Sequence, residues 1–289
     1  MKPAPFEYHA PVGVDEAVGL LADLGDEAKV LAGGQSLVPM LNLRLTRFEA
    51  LVDLGRIPAL AGVEAVDGGV RVGAMTPQSD VERDPLVSAR VPLLARATPL
   101  IGHFQIRNRG TVGGSIAHAD PAAEYPAVAL ALDAEIEAQG PSGTRTIPAV
   151  DFFAGTWTTV LEPEEILTAV RLPTWGPGSG FAVEEMARRH GDFAIAGVVC
   201  GVQVRGGLVA RAAVALLGMG FTPMRASTAE AALLGQAAEE VDVDEVGRLA
   251  VEGLEPPDDL HASAGLRRRA AAALTARALT HAIEEATSG

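Results

Sequence analysis

The chain has 289 residues, 48% of them hydrophobic but only 4% aromatic, so a sizeable core is available and aliphatic side chains and alanine must fill it. Its 23 basic residues against 37 acidic ones give a net charge of −14, which excludes a nucleic-acid or anionic-membrane binder held by general electrostatics. The single cysteine, Cys200, excludes an internal disulfide, a cysteine-based zinc site and a cysteine-ligated iron–sulfur cluster within this chain, and fits a reducing compartment.

From Met1 to His9 there is no apolar leader, and nowhere do about 18 uncharged apolar residues run together, so a cytoplasmic protein without membrane insertion is expected. Val14, Val18, Leu21 and Leu24 have helical spacing, and Gly25-Asp26 ends that helix before an extended Lys29–Ala32. Strands follow at Ala50–Leu54 and Gly69–Ala74, and Thr76-Pro77 and Asp120-Pro121 each look like an N-cap followed by proline at the first helical position. Ala134–Ala138 and Thr144–Ile147 flank Gly140–Gly143 as a hairpin, and Glu165–Leu172 is a further strand. Gly176-Pro177-Gly178-Ser179-Gly180 looks the most flexible stretch and marks a domain boundary. Beyond it, apolar runs at Phe193–Val204 and Leu208–Met219 are joined by Gly206-Gly207, and helices dominate from Ala226 to Glu285, an α+β order.

Two glycine pairs are candidate anion loops: Ala32-Gly33-Gly34-Gln35-Ser36-Leu37 directly after a strand, and Thr111-Val112-Gly113-Gly114-Ser115 after Arg107-Asn108-Arg109-Gly110. Without Cβ atoms, backbone N–H groups can converge on phosphate oxygens, and the hydroxyls of Ser36, Thr111 and Ser115 add donors. Brought together, the loops could hold the two phosphates of a dinucleotide, with Arg107 or Arg109 offsetting charge. The competing explanation for each pair is a tight turn that needs positive φ.

Other signatures fail. There is no G-x-G-x-x-G, no G-K-[ST] and no G-x-S-x-G. His118-Ala119-Asp120 lacks the companions of a metal site, and none is expected. Cys200 lies in an apolar strand-like run and is expected to be an inert core thiol. Arg267-Arg268-Arg269 is expected to be solvated or paired with acidic neighbours, and the acidic run Glu239–Glu245 to mark a helix N-terminus.

The segments Ala32–Met40 with Leu43-Arg44, Ile106–Pro121, and Gly191-Asp192-Phe193-Ala194 in the second half together resemble the FAD-binding medium subunits of molybdenum hydroxylases, the carbon monoxide dehydrogenase medium-subunit type in particular. The resemblance spans essentially the whole chain. It implies an α+β fold: a vanillyl-alcohol-oxidase type FAD-binding domain over 1–175, built of two small α+β subdomains (about 1–57 and 58–175), and a C-terminal flavoprotein domain over 181–289 with an antiparallel sheet and helices. The residues it implies at FAD are Ala32, Gly33, Gly34, Gln35, Ser36 and Leu37 with Thr111, Gly114 and Ser115 at the diphosphate. Glu124 would be an acidic flavin contact, Ile101 and Leu167 apolar neighbours of the ring, and Phe193 an aromatic beside it, while His118 and Asp120 line the same loop. Some relatives carry lysine near Glu184 and Glu185, where this chain is acidic.

The function implied is electron transfer, with FAD carrying the chemistry and no catalytic side chain or metal on this chain. A molybdopterin-binding large subunit would oxidise the substrate and a 2Fe–2S small subunit would relay electrons to this flavin for an external acceptor, the whole being a dimer of heterotrimers. The alternatives are a self-sufficient FAD-dependent oxidoreductase with its own organic substrate, and a colourless nucleotide-binding or assembly module.

Overall fold

The computed structural model describes residues 2–288. Helix Val14–Leu24 buries Ala17, Val18 and Leu21 on one face, and Gly25, at φ +57°, ends it. It packs on a parallel three-stranded sheet of β1 (Glu7–His9), β2 (Ala28–Leu31) and β3 (Ala50–Asp53), ordered β1-β3-β2. A second sheet uses β4 (Val63–Val66), β5 (Gly69–Gly73), β6 (Glu135–Gly140) and β7 (Gly143–Pro148). After a short ribbon of β8 (Phe153–Gly155) and β9 (Thr158–Thr159), strand β10 (Ile166–Pro173) enters its centre. The resulting order is β4-β5-β10-β6-β7, antiparallel throughout.

The third sheet runs β11 (Ser179–Met186), β12 (Ala196–Arg205), β13 (Leu208–Leu217) and β14 (Met224–Arg225), antiparallel in that order. Gly206 and Gly207 both have positive φ, the backbone a two-residue hairpin needs. Because side chains alternate across a strand, Val198, Cys200 and Val202 join the core beneath helices Ser227–Leu233, Val243–Ala250 and Ala264–Ser288. Val199 points the other way, as do Ala213, Ala215 and Leu217, into a core shared with helix Glu124–Ala131 and the second sheet. Apolar packing is therefore continuous across the seam between the second sheet and the third.

The segment Gly176–Gly180 is not a flexible linker. Ser179 already begins β11, and a Cβ on Gly180 would lie 2.0 Å from the Ala282 carbonyl oxygen, so this glycine lets a helix and a strand touch. Strand β11 escapes the sequence pattern because its ends are Ser-Gly and Glu184-Glu185 rather than an apolar run. Neither expected N-cap forms. Thr76 instead bonds Gly62 through its hydroxyl, Oγ1 accepting from the Gly62 N–H at 2.9 Å and donating to its carbonyl at 3.0 Å. Asp120 closes a turn on the Ala122 N–H, and helix Glu124–Ala131 starts later. Asp242 caps helix Val243–Ala250 where the acidic run predicts a helix start. Arg267 is buried rather than solvated: its guanidinium donates to the carbonyls of Ile195 and Gly218 and pairs with Asp259 at 2.7 Å. Cys200 is fully buried, and burial pushes its thiol up to about 12, which suits an inert side chain.

Candidate functional site

From the end of β2 the chain turns through Ala32–Ser36 into the short helix Leu37–Asn42. Gly34 takes φ +72°, a left-handed value that favours glycine, and the Gln35 side-chain amide donates to the Gly33 carbonyl at 3.2 Å to hold the turn. Among the described residues, no backbone or side-chain acceptor meets the N–H groups of Gly33, Gly34, Gln35 and Ser36. Four consecutive donors are left free in one turn, the arrangement of an anion nest.

The second loop is built differently. The Thr111 hydroxyl caps helix Val112–His118 by accepting from the Gly114 N–H at 3.1 Å. Val112 donates to the Thr76 carbonyl, Gly113 to Ala74 at 2.8 Å, and Ser115 to Thr111. These N–H groups tie the helix to the end of β5, so the second loop offers the side chains of Thr111 and Ser115 rather than the backbone donors expected of it. Its glycines serve close packing: a Cβ on Gly113 would stand 2.5 Å from the Ala74 Cβ, and one on Gly114 3.2 Å from the Ala32 Cβ. A Cβ on Gly33 would lie 2.1 Å from the Arg109 carbonyl oxygen and 2.8 Å from the Gly110 Cα. The two loops, far apart in sequence, meet backbone to backbone.

Their meeting forms the floor of a cleft of about 760 Å³. Ala32, Gly33, Gly34, Gln35, Ser36 and Leu37 line one end of the set expected from sequence, and Thr111, Gly114 and Ser115 join them. His118, Asp120, Glu124, Ile101, Leu167 and Phe193 line the same cleft, so every expected position faces one space. Leu167 is buried, whereas Phe193 is 66% exposed. Arg107 does not serve the cleft: it is buried against Glu82 and donates to the carbonyls of Pro99, Ile101 and Gly102. Arg109 does not line it either, and contributes its carbonyl to the contact with Gly33.

Three lining residues carry no signal that sequence reasoning could use. Lys29, among the described residues the one lysine or arginine lining the cleft, is an ordinary exposed strand position whose ammonium lies 5.9 Å from the Phe48 ring centre. Gln78 is buried, with its side-chain oxygen unpaired and packed against Gly110. Trp157, at φ +55°, stacks on His118 with ring centres 6.3 Å apart, and its indole N–H donates to Asp120 at 3.2 Å. Burial lowers the pKa of His118 and pushes the Glu124 carboxyl up to about 8. Among the described residues, no group of three or more His, Cys, Asp or Glu is placed to hold a metal, and no helix is long and apolar enough to cross a membrane.

The family model described as the FAD binding domain in molybdopterin dehydrogenase matches residues 4–175. The chain belongs to this family. A second family model, the CO dehydrogenase flavoprotein C-terminal domain, matches residues 181–282. The carbon monoxide dehydrogenase medium chain of Hydrogenophaga pseudoflava is 42% identical over 282 residues, covering 98% of each chain. The 6-hydroxypseudooxynicotine dehydrogenase complex subunit alpha of Paenarthrobacter nicotinovorans is 41% identical, covering 99% of this chain and 97% of that one. The solved carbon monoxide dehydrogenase of Hydrogenophaga pseudoflava superposes with a TM-score of 0.96 at 44% identity, covering 99% of both chains. The chain is thus the medium, FAD-binding subunit of an oxidoreductase complex of the molybdenum hydroxylase kind, with the fold its sequence motifs imply.

Proposed function

We propose that this subunit takes electrons from a 2Fe–2S small subunit into FAD and passes them to an external acceptor, while a molybdopterin-binding large subunit oxidises the substrate. The observation that carries the assignment of the cleft is the turn of four free N–H groups at Gly33–Ser36, locked against the second loop. A dinucleotide diphosphate is the ligand such a donor set fits, since two phosphates need many short donors and little net protein charge. Ser36, Ser115 and Thr111 add hydroxyls beside that turn, and Lys29 supplies the cleft's cation. Ala32, Leu37 and Gly114 shape the floor, Ile101 and Leu167 give the flavin ring an apolar wall, and Phe193 offers an exposed aromatic face. His118, held by Trp157, and Asp120 bound the same space, with Glu124 as the acidic flavin contact.

When bound, FAD supplies the redox chemistry; the polypeptide positions it, keeps water from the ring and sets the local charge. The FAD-binding part over 1–175, with its subdivision near residue 57, holds the cofactor, and the part over 181–289 closes the cleft from the Phe193 side. Assembly as a dimer of heterotrimers in the cytoplasm completes the proposal. The relatives named above carry names for carbon monoxide and for 6-hydroxypseudooxynicotine, two unlike compounds, which supports a substrate site outside this cleft.

Purification of the native complex tests this directly. Stoichiometric FAD on this chain, co-purifying molybdenum and iron–sulfur subunits identified by mass spectrometry, and anaerobic bleaching of the flavin by the reduced small subunit are expected. A colourless chain, or substrate turnover by this chain alone, would refute it.

A further inference from the structure

Among the described residues, five buried side-chain atoms have no hydrogen-bond partner, on His9, Gln78, Trp175, Glu185 and Arg267, and of these residues only Gln78 lines the cleft. It is 3% exposed and opens the short helix Gln78–Arg83, which follows β5. Its backbone is tied to the second glycine loop. The Gln78 N–H donates to the Gly110 carbonyl at 2.9 Å, the Val112 N–H donates to the Thr76 carbonyl at 3.1 Å, and Pro77 and Thr111 form an antiparallel bridge between them. The side chain is thus delivered to one place by a fixed backbone, yet its own polar ends are unused.

The orphaned atom is the oxygen. Oε1 is turned against Gly110, where an added Cβ would stand 2.6 Å from it, and Gly110 packs in turn on Gly33, whose added Cβ would meet the Gly110 Cα at 2.8 Å. Gln78, Gly110 and Gly33 are therefore stacked against one another, which sets the carboxamide beside the turn of free N–H groups. A primary amide has an accepting end and a donating end. With the oxygen shut against Gly110, the Nε2 end is neither enclosed with it nor bonded to any described residue, so what this side chain presents to the cleft is a donor. The empty fold gains nothing from that choice, because an apolar side chain of the same length would fill the space without burying an unpaired amide. A donor beside an anion nest is the arrangement an anionic oxygen would satisfy.

Resting on the FAD assignment above, we propose that Gln78 is a further anchor of the cofactor, donating through Nε2 to a diphosphate oxygen beside the Gly33–Ser36 turn. The amide destabilises the empty chain and is satisfied in the loaded one, so it adds affinity while lowering the stability of the apoprotein. It also supplies a donor without adding a charge, at a point where Arg107 is already held by Glu82 and three carbonyls.

Gln78→Met tests this, since it keeps the length of the side chain and removes both polar ends. Apoprotein of the full chain is titrated calorimetrically with FAD and with ADP, which carries a diphosphate without the flavin, and its thermal unfolding is followed without ligand. Kd should rise about 10- to 100-fold for FAD and by the same factor for ADP, while the apoprotein melting temperature holds or rises. Gln78→Glu, of the same shape, places a carboxylate oxygen where the donor stood and should weaken FAD still more. Gln203→Met is the contrast: Gln203 is equally buried, but its Nε2 donates to the Ser179 hydroxyl at 3.1 Å and the Pro177 carbonyl at 3.3 Å, so this variant should melt lower and bind FAD and ADP as the wild type does. Wild-type FAD affinity in either Gln78 variant overturns the proposal and leaves the FAD assignment intact. Weaker FAD binding with unchanged ADP binding overturns the diphosphate contact, and a Gln78→Met apoprotein that melts as low as Gln203→Met gives Gln78 a structural role instead. A wild-type apoprotein that binds no FAD refutes the FAD assignment and this proposal with it.

Discussion

Gly33→Ala isolates the contact on which the cleft depends. The new Cβ would fall 2.1 Å from the Arg109 carbonyl oxygen, and the obstacle is backbone that cannot swing aside as a side chain would. Restoring an ordinary contact requires the loops to part by about 1 Å. A displacement of that size stretches a 2.9 Å hydrogen bond to about 4 Å, beyond useful length. Each charge-assisted bond is worth about 1.5–3 kcal/mol, so loss of two from the Gly33–Ser36 turn weakens FAD binding by about 3–6 kcal/mol, roughly 10²- to 10⁴-fold in Kd. The measurement is flavin content after gel filtration together with a fluorescence titration of the apoprotein, with circular dichroism establishing that the variant is folded. Gly19→Ala, whose Cβ meets nothing within 4 Å, serves as the control. A folded Gly33→Ala chain with stoichiometric FAD and wild-type Kd would show that the loop contact does not govern the cofactor site.

Glu124→Gln should flatten the pH dependence of apoprotein stability. With the folded carboxyl near 8 against an ordinary 4.5, the folded state holds a proton that the unfolded chain releases; this contribution is complete below about pH 4.5 and is lost as pH rises through 8. Urea denaturation at pH 5.5 and 8.5 should reveal up to about 3 kcal/mol more loss in the wild type than in the variant, and equal losses would contradict the burial of this charge. Cys200→Ser should lower stability by about 1–3 kcal/mol through a buried hydroxyl and leave FAD content and electron transfer unchanged; loss of transfer in a folded, FAD-loaded variant would give the thiol a role. Arg267→Met removes the partner of Asp259 and of two carbonyls, and a fall of about 3–5 kcal/mol is expected in thermal unfolding, whereas a surface arginine would cost almost nothing.

The parts legible in the sequence are those where one local rule dominates. Helix Val14–Leu24 and the hairpin at Gly206-Gly207 follow from apolar spacing and from turn chemistry, and tertiary packing reinforces both. The glycine loops are legible as unusual but ambiguous in cause, because a glycine that admits a phosphate and one that admits a neighbouring backbone look alike in sequence. At Gly33 the neighbour is Arg109, and at Gly180 it is Ala282, which is why the Gly176–Gly180 segment resembles a linker and is in fact packed. Arg107 illustrates the same limit for charge: an arginine beside a glycine loop suggests an anion partner, yet Glu82 and three carbonyls hold it. Lys29 and Trp157 are invisible because only the fold brings β2 and the β8–β9 ribbon to one cleft.

A chain with net charge −14 can still be a dinucleotide binder because the two scales of electrostatics separate. Net charge acts through water and is screened beyond about 8–10 Å, whereas a free N–H acts at hydrogen-bond distance inside the site. The structure uses that separation. Donors are concentrated in one turn, the second loop spends its own N–H groups on fixing a helix, and Arg107 beside it is tied to Glu82 and three carbonyls.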